Sequence, residues 1–493
     1  MRIFRWPWLF GACLLLVAGC GGGGGGEQAD APLPPDAPSP FQVVVSPKAS
    51  LRPESALPES VARCAPFRDV HEEAGLEHVY LNGERGQCLM VETIGAGAGW
   101  LDYDADGHWD LYLTQGGDPT VDADATQPHD ALFRNLGDGT FQDVTAQAAI
   151  AEFRYSQAVA VGDYDNDGFD DVYVTNVGRN TLYHNQGDGT FLDVTESAGV
   201  GDERWSASAA WADLDLDGDL DLYVCNYCVY DPKHPMDCRN DQGEHRVCHP
   251  RNVEPWPDEC YINRGDGTFS AEAAERGLFG DGNRALGVAV ADFNNDGLPD
   301  IYVTNDTTAN FLFVNQGDGM FQEMGTFLGC AVDRNGGFQA SMGVAVNDFD
   351  HNGCLDLYVT HFYRESNTLY RNYGEGGFQD ETGLLGLHSP TLLRLAFGTV
   401  MADFNLDGRQ ELFVTTGHIE NFPGNPLHRM SPQIFAFDGN RWSEGSEEAG
   451  EFFQRKYVVC VAEGTFCDFD KFRRLTFCGP TEFVASRWAR QAV

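Results

Sequence analysis

The sequence predicts an all-β fold, a seven-bladed β-propeller of four-stranded blades. Acidic loops are expected between strands 1 and 2 of each blade, and the seventh blade is expected to be closed by both termini. Three observations predict it. A loop with Asp, Asn or Glu at positions 1, 3, 5 and 9 and glycine at position 6 recurs six times. Each copy lies between apolar, alternating runs that read as strands, so the flanks are not the helices of an EF-hand. Fragments of the same unit stand outside the six copies at both ends of the chain.

The unit is fullest over residues 156–195. Ala158 to Val161 is an apolar first strand running into the acidic loop. Asp171 to Thr175 leads out as a second strand, and Asn180 to Asn185 reads as a third. Gly187-Asp188-Gly189 supplies the positive φ of a tight hairpin turn, and Phe191 to Thr195 is the fourth strand. The turn and its aromatic return at Phe141, Phe269, Phe321 and Phe378, and decay to Asp438–Trp442 in the sixth copy. The aromatic is expected to pack between blades. The Asn before the turn (Asn135, Asn185, Asn263, Asn315, Asn372) is expected to cap it. At the ends, Phe67 to Val70 with Ala74 to Leu76 matches the close of a unit, and Phe466 to Asp470 resembles an opening. Two partial units at opposite termini would complete one blade and leave no open sheet edge.

The loops carry the chemistry. Calcium takes six to eight hard oxygen ligands in an adaptable cage, and alternate side chains of a tight loop converge on one point. The candidate ligands are Asp102, Asp104, Asp106 and Asp110; Asp163, Asp165, Asp167 and Asp171; and Asp213, Asp215, Asp217 and Asp221. They continue as Asp292, Asn294, Asp296 and Asp300; Asp348, Asp350, Asn352 and Asp356; and Asp403, Asn405, Asp407 and Glu411. Every exchange keeps a side-chain oxygen. The last three copies have one carboxylate fewer each, so weaker binding is expected there. Up to about six Ca²⁺ ions of largely structural role are expected.

The formal net charge of −43 argues against nucleic acid as a partner, which needs clustered Lys and Arg, and against adsorption to anionic lipid. Residues 1–19 read as a signal peptide: Arg2 and Arg5 precede an apolar run too short to span a bilayer. Val17 to Cys20 resembles a bacterial lipobox, which implies acylation of Cys20, export and an anchor in the cell envelope. Residues 20–60 read as a Gly- and Pro-rich tether, 61–457 as the propeller, and 458–493 as a degenerate last blade or irregular tail.

The chain has 14 cysteines. Five of them fall in or beside an insertion over residues 226–258. Three readings stand there: a zinc site from Cys225, Cys228, Cys248 and His249, disulfides that pin a long exported loop, with Cys238–Cys248 the first pair, or free thiols.

The units resemble FG-GAP/VCBS repeats, the propeller repeats of integrin α subunits. A finer resemblance is to bacterial propeller proteins related to cartilage acidic protein, often found with an ASPIC/UnbV segment. Glu92 to Gly97, the Asp-Leu-Tyr-Val runs, Asn263 to Phe269, Gly417 to Ile419 and Glu451 to Lys456 carry it. The ASPIC/UnbV segment itself is missing, so no role resting on it transfers. In the resembling integrin propeller, ligand sits on the face opposite calcium.

That face is also where topology sends the 2–3 and 4–1 loops, with the insertion among them. Tyr227, Tyr230 and Trp256 are candidate contact aromatics there, and His361 and His418 candidate acid/base groups with Asp306 or Glu365. No nucleophile elbow or phosphate loop is evident. The expected function is therefore non-catalytic adhesion to a protein or glycan partner at the cell surface. The rivals are a polysaccharide lyase or hydrolase on the same scaffold, and a purely structural envelope protein.

Overall fold

The computed structural model describes residues 67–280, 282–419 and 429–454. The expected signal peptide, tether, Cys20 anchor and 458–493 segment lie outside the described residues.

The alternating runs form strands where the repeat places them. In the second blade these are Ser156–Gly162, Asp171–Asn176, Thr181–Asn185 and Phe191–Asp193. Six antiparallel four-stranded sheets result, each with its strands in chain order. Their first strands (Ala98–Leu101, Ser156–Gly162, Ser206–Ala212, Ala285–Ala291, Ser341–Asn347, Ala396–Ala402) pack successively against one another. The second strands are buried on both faces because blades stack face to face. Tyr112, Tyr173, Tyr223 and Tyr302 are fully buried there, and each hydroxyl finds an acceptor: Asp130, the Val200 carbonyl, Asp258 and the Cys330 carbonyl.

The number of blades corrects the expectation. Seven were expected, the last shared between the termini; the described residues form six. Phe67 to Val70 belongs to no sheet. The Phe67 N–H donates to the Ala449 carbonyl at 2.7 Å, and its ring packs on Phe404 and Phe453. This repeats the contact that Phe191 makes with the Ala148 carbonyl and the Tyr103 ring. The match to the end of a unit thus marks a docking contact and not a strand.

The turn after each fourth strand sets blade spacing. A Cβ on Gly277, at φ 78°, would lie 2.5 Å from the Phe321 carbonyl of the next blade, so this position needs glycine. At the end of the propeller away from the acidic loops, Ile94, Tyr155, Trp205, Leu286, Met342 and Phe397 join in one apolar hub. Tyr227 and Val253, from the insertion, pack into it.

Candidate functional site: the acidic loops and the face opposite

Strand register builds the loops. The residue at position 9 always pairs with the last residue of the first strand: Leu101 with Asp110, Gly162 with Asp171, Ala402 with Glu411. Within the loop the backbone folds onto its own carboxylates. Asp163 accepts the N–H groups of Asp167 (3.0 Å) and Gly168 (2.9 Å), and Asp102, Asp292, Asp348 and Asp403 do the same. Asp171 accepts from Tyr164 N–H at 3.2 Å and Asn185 N–H at 2.8 Å. Asp110, Asp221, Asp300 and Asp356 repeat this double acceptance. Positions 1 and 9 therefore shape the loop from within.

The electrostatics favour a cation. Burial, helped by the neighbouring carboxylates of the same loop, pushes Asp110, Asp221, Asp300 and Asp356 up to about 7 and Asp171 to about 8. In the first, third and fifth loops, position 1, 3 and 9 carboxylates lie within 4.8 Å of one another. Buried Asp104 Oδ1, Asp213 Oδ1 and Asp215 Oδ1 have no hydrogen-bond partner. An all-oxygen donor set with orphaned buried oxygens fits a hard divalent ion such as Ca²⁺.

The sequence reading missed a set of basic neighbours. Arg134 lies 2.7 Å from Asp104 and 3.0 Å from Asp106; Arg276 lies 3.1 Å from Asp215; Arg371 pairs with Asp350. His184 Nδ1 stands 3.2 Å from Asp171 and 3.4 Å from Asp165. Three of the four announce themselves as a basic residue directly before the recurring Asn. That Asn does more than cap. Asn185 accepts from Gly187 N–H and also donates to the Tyr103 carbonyl of the preceding blade. Asn263, Asn315 and Asn372 reach back to Tyr164, Leu214 and Phe293 in the same way.

The opposite face holds a groove of about 610 Å³. Its walls come from loops of the first three blades and from the root of the insertion. Phe153, Tyr230 and Trp256 give it half-buried rings, with Trp205 buried beneath. The insertion is held across this face: Tyr230 Oη accepts from Met90 N–H, Tyr227 donates to Asp306 at 2.6 Å, and Lys233 pairs with Asp122.

The sequence profile of the FG-GAP-like repeat matches residues 102–174, 163–224, 252–303, 292–359 and 348–414, more than half of the chain. The chain belongs to the FG-GAP-like repeat family. It is 32% identical over 159 residues to cartilage acidic protein 1 of Xenopus tropicalis, covering 31% of this chain and 22% of that protein. Against the Homo sapiens protein it is 28% identical over 181 residues, covering 36% and 26%. The chain thus spans about a quarter of the length of the curated relatives it matches. Among solved structures it is similar to an Agrocybe aegerita lectin that recognises non-reducing terminal N-acetylglucosamine. The identity there is 17% and the TM-score 0.43, over 74% of this chain and 82% of that one. The SapL1 lectin, solved with α-methyl fucoside, is 11% identical with a TM-score of 0.37, over 71% and 95%. At these scores the likeness carries no information about ligands.

Other candidates on this FG-GAP-like propeller sort clearly. Cys238 and Cys248 form the expected disulfide. That removes Cys248 from the zinc set, and Cys228 and Cys260 are buried thiols pushed well up by burial. Of the contact aromatics, Tyr227 is buried, while Tyr230 and Trp256 reach the groove. His361 is fully buried, shares a hydrogen bond with Ser341, and is lowered to about 3 by burial. Asp306 is taken by Tyr227, and Glu365 accepts the Ala340 N–H. His418 packs against the Phe362 and Tyr363 rings.

Proposed function

We propose that this FG-GAP-like propeller is a non-catalytic binding module. Its acidic loops carry structural Ca²⁺, and it engages a protein or glycan partner on the opposite face, exported and tethered to the envelope through Cys20. The observation that carries the reading is the division of labour between faces. Groups suited to cations sit in one repeated loop, while the roomy groove and its aromatic side chains lie at the other end. Asp102 to Asp110, with the equivalent residues of the other loops, would hold the ions. A bound Ca²⁺ would neutralise carboxylates that now crowd one another and tie the first strand to the second.

The deciding experiment incubates the calcium-loaded protein with polysaccharides and envelope proteins, following both retention and product formation. Saturable retention without new reducing ends or unsaturated uronates is expected. Sustained product formation would refute the non-catalytic reading.

A further inference from the structure

We infer that the groove on the opposite face takes a neutral oligosaccharide. The inference rests on the binding reading above and deepens it by naming the ligand class.

The first support is the arrangement of rings. Phe153 comes from the connection between the first two blades, Tyr230 and Trp256 from the two ends of the insertion, and all three are half-buried on one groove. Rings that are held in place yet open on one face offer apolar area at small entropic cost, suited to the C–H faces of sugar rings. Phe153 is fixed edge-on to His129 at 5.9 Å and Tyr230 against Trp205 at 5.7 Å. The volume of about 610 Å³ lies within the usual range for small-molecule sites.

Charge selects among sugars. Every cation on the groove is already engaged. Arg154 pairs with buried Glu152 at 3.0 Å, Arg179 with Glu196 at 3.2 Å and Asp193 at 3.5 Å, and Lys233 with Asp122. Asp118 is bound by Thr120 and Arg85, and Asp231 by His234 and the Lys233 N–H. Glu203 is exposed and has no hydrogen bond or ion pair among the described residues, and the Trp256 indole N–H is likewise unengaged. The groove therefore offers a free carboxylate for hydroxyl donors, a free donor for hydroxyl oxygens, and no free cation for a uronate, sulfate or phosphate. A peptide added as a β-strand would want an open sheet edge; here the walls are loops.

The test applies the calcium-loaded full chain to an array of neutral oligosaccharides (hexose, N-acetylhexosamine and deoxyhexose) beside uronate-containing, sialylated and sulfated ones. Trp256→Ala, Phe153→Ala, Glu203→Gln and the perimeter control Leu192→Ala are run in parallel, each checked for wild-type thermal unfolding. Binding to neutral members is expected, falling at least tenfold in Trp256→Ala and Phe153→Ala, several-fold in Glu203→Gln, and unchanged in Leu192→Ala. Binding to acidic members only, neutral binding that survives both aromatic substitutions, or no binding to any sugar overturns the inference. Cleavage of a bound sugar, seen as shortened products by mass spectrometry, instead overturns the non-catalytic reading and leaves the groove a sugar site.

Discussion

The two ends of this propeller were made by opposite means. One end is repetition: the same loop, register and carboxylate-to-backbone hydrogen bonds recur from blade to blade, so each loop repeats what its neighbour shows. The other end is irregular, and its groove exists only because segments from several blades and one insertion meet. Repetition yields a scaffold property shared by all blades; a groove arises where the repeat is broken.

Calcium removal is the strongest way to break this contrast. Each loop filled at a hundredfold excess over its Kd adds about 2.7 kcal/mol to stability. Chelation should therefore lower the Tm sharply, with losses summed over the filled loops, as read by calorimetry with bound metal counted. No change in Tm and no tight metal would reduce the repeated end to acidic turns.

The disulfide tests the irregular end separately. Cys238→Ser opens a closure of sequence separation 10, a constraint of roughly 3 kcal/mol for a loop of that size. Because both cysteines lie within the insertion, the effect should be local. Limited proteolysis between residues 229 and 250 should accelerate while the main unfolding transition stays put. A large fall in the main Tm would show that the two ends are not independent.

Asn263→Ala probes the seam between blades. It strips the Tyr164 and Leu220 carbonyls of their donor at 2.8 and 3.1 Å, at a cost of about 1–3 kcal/mol. The loss should appear in chemical denaturation of both apo and calcium-loaded protein. A loss seen only without calcium would place the Asn in the metal site itself.

The smallest effect is in pH. With calcium saturating, Asp258 and Asp306 remain as buried carboxyls under the insertion, raised by burial to about 7 and about 6. A carboxyl whose folded pKa exceeds its unfolded value of about 3.9 stabilises the fold at low pH. That contribution is lost as pH rises through the folded value. Stability at saturating calcium should thus decline between about pH 4 and 7, and Asp258→Asn should flatten the upper part of that slope. A rise over the same window would contradict the assignment.

Legibility in the sequence followed the same division. The loops, the strands around them and the hairpin turns were readable because six copies vote on each position. The placement of the insertion followed from counting strands. Blade number was not readable, because Phe67 to Val70 keeps the repeat's contacts with Ala449 and Phe404 without forming a ladder, and a contact and a strand leave the same mark in a sequence. Asn185 looked like a local turn residue, since its second partner, Tyr103, is 82 positions away. Phe153, Glu203 and Trp256 share no motif at all; only folding brings them together.

The backward reach of those asparagines gives synthesis a direction. Tyr103, Tyr164, Leu214 and Phe293 each wait for a side chain supplied by the blade after their own. As the chain emerges from its amino end, each of these four acidic loops is left provisional until its successor has been made, and is then sealed. Among the described residues the last loop has no successor. Its Phe404 is covered by Phe67, among the first of the described residues to be made. The final seal is thus set by Phe67, made long before the loop it covers, so a nascent molecule released early would keep every loop it had finished except the newest.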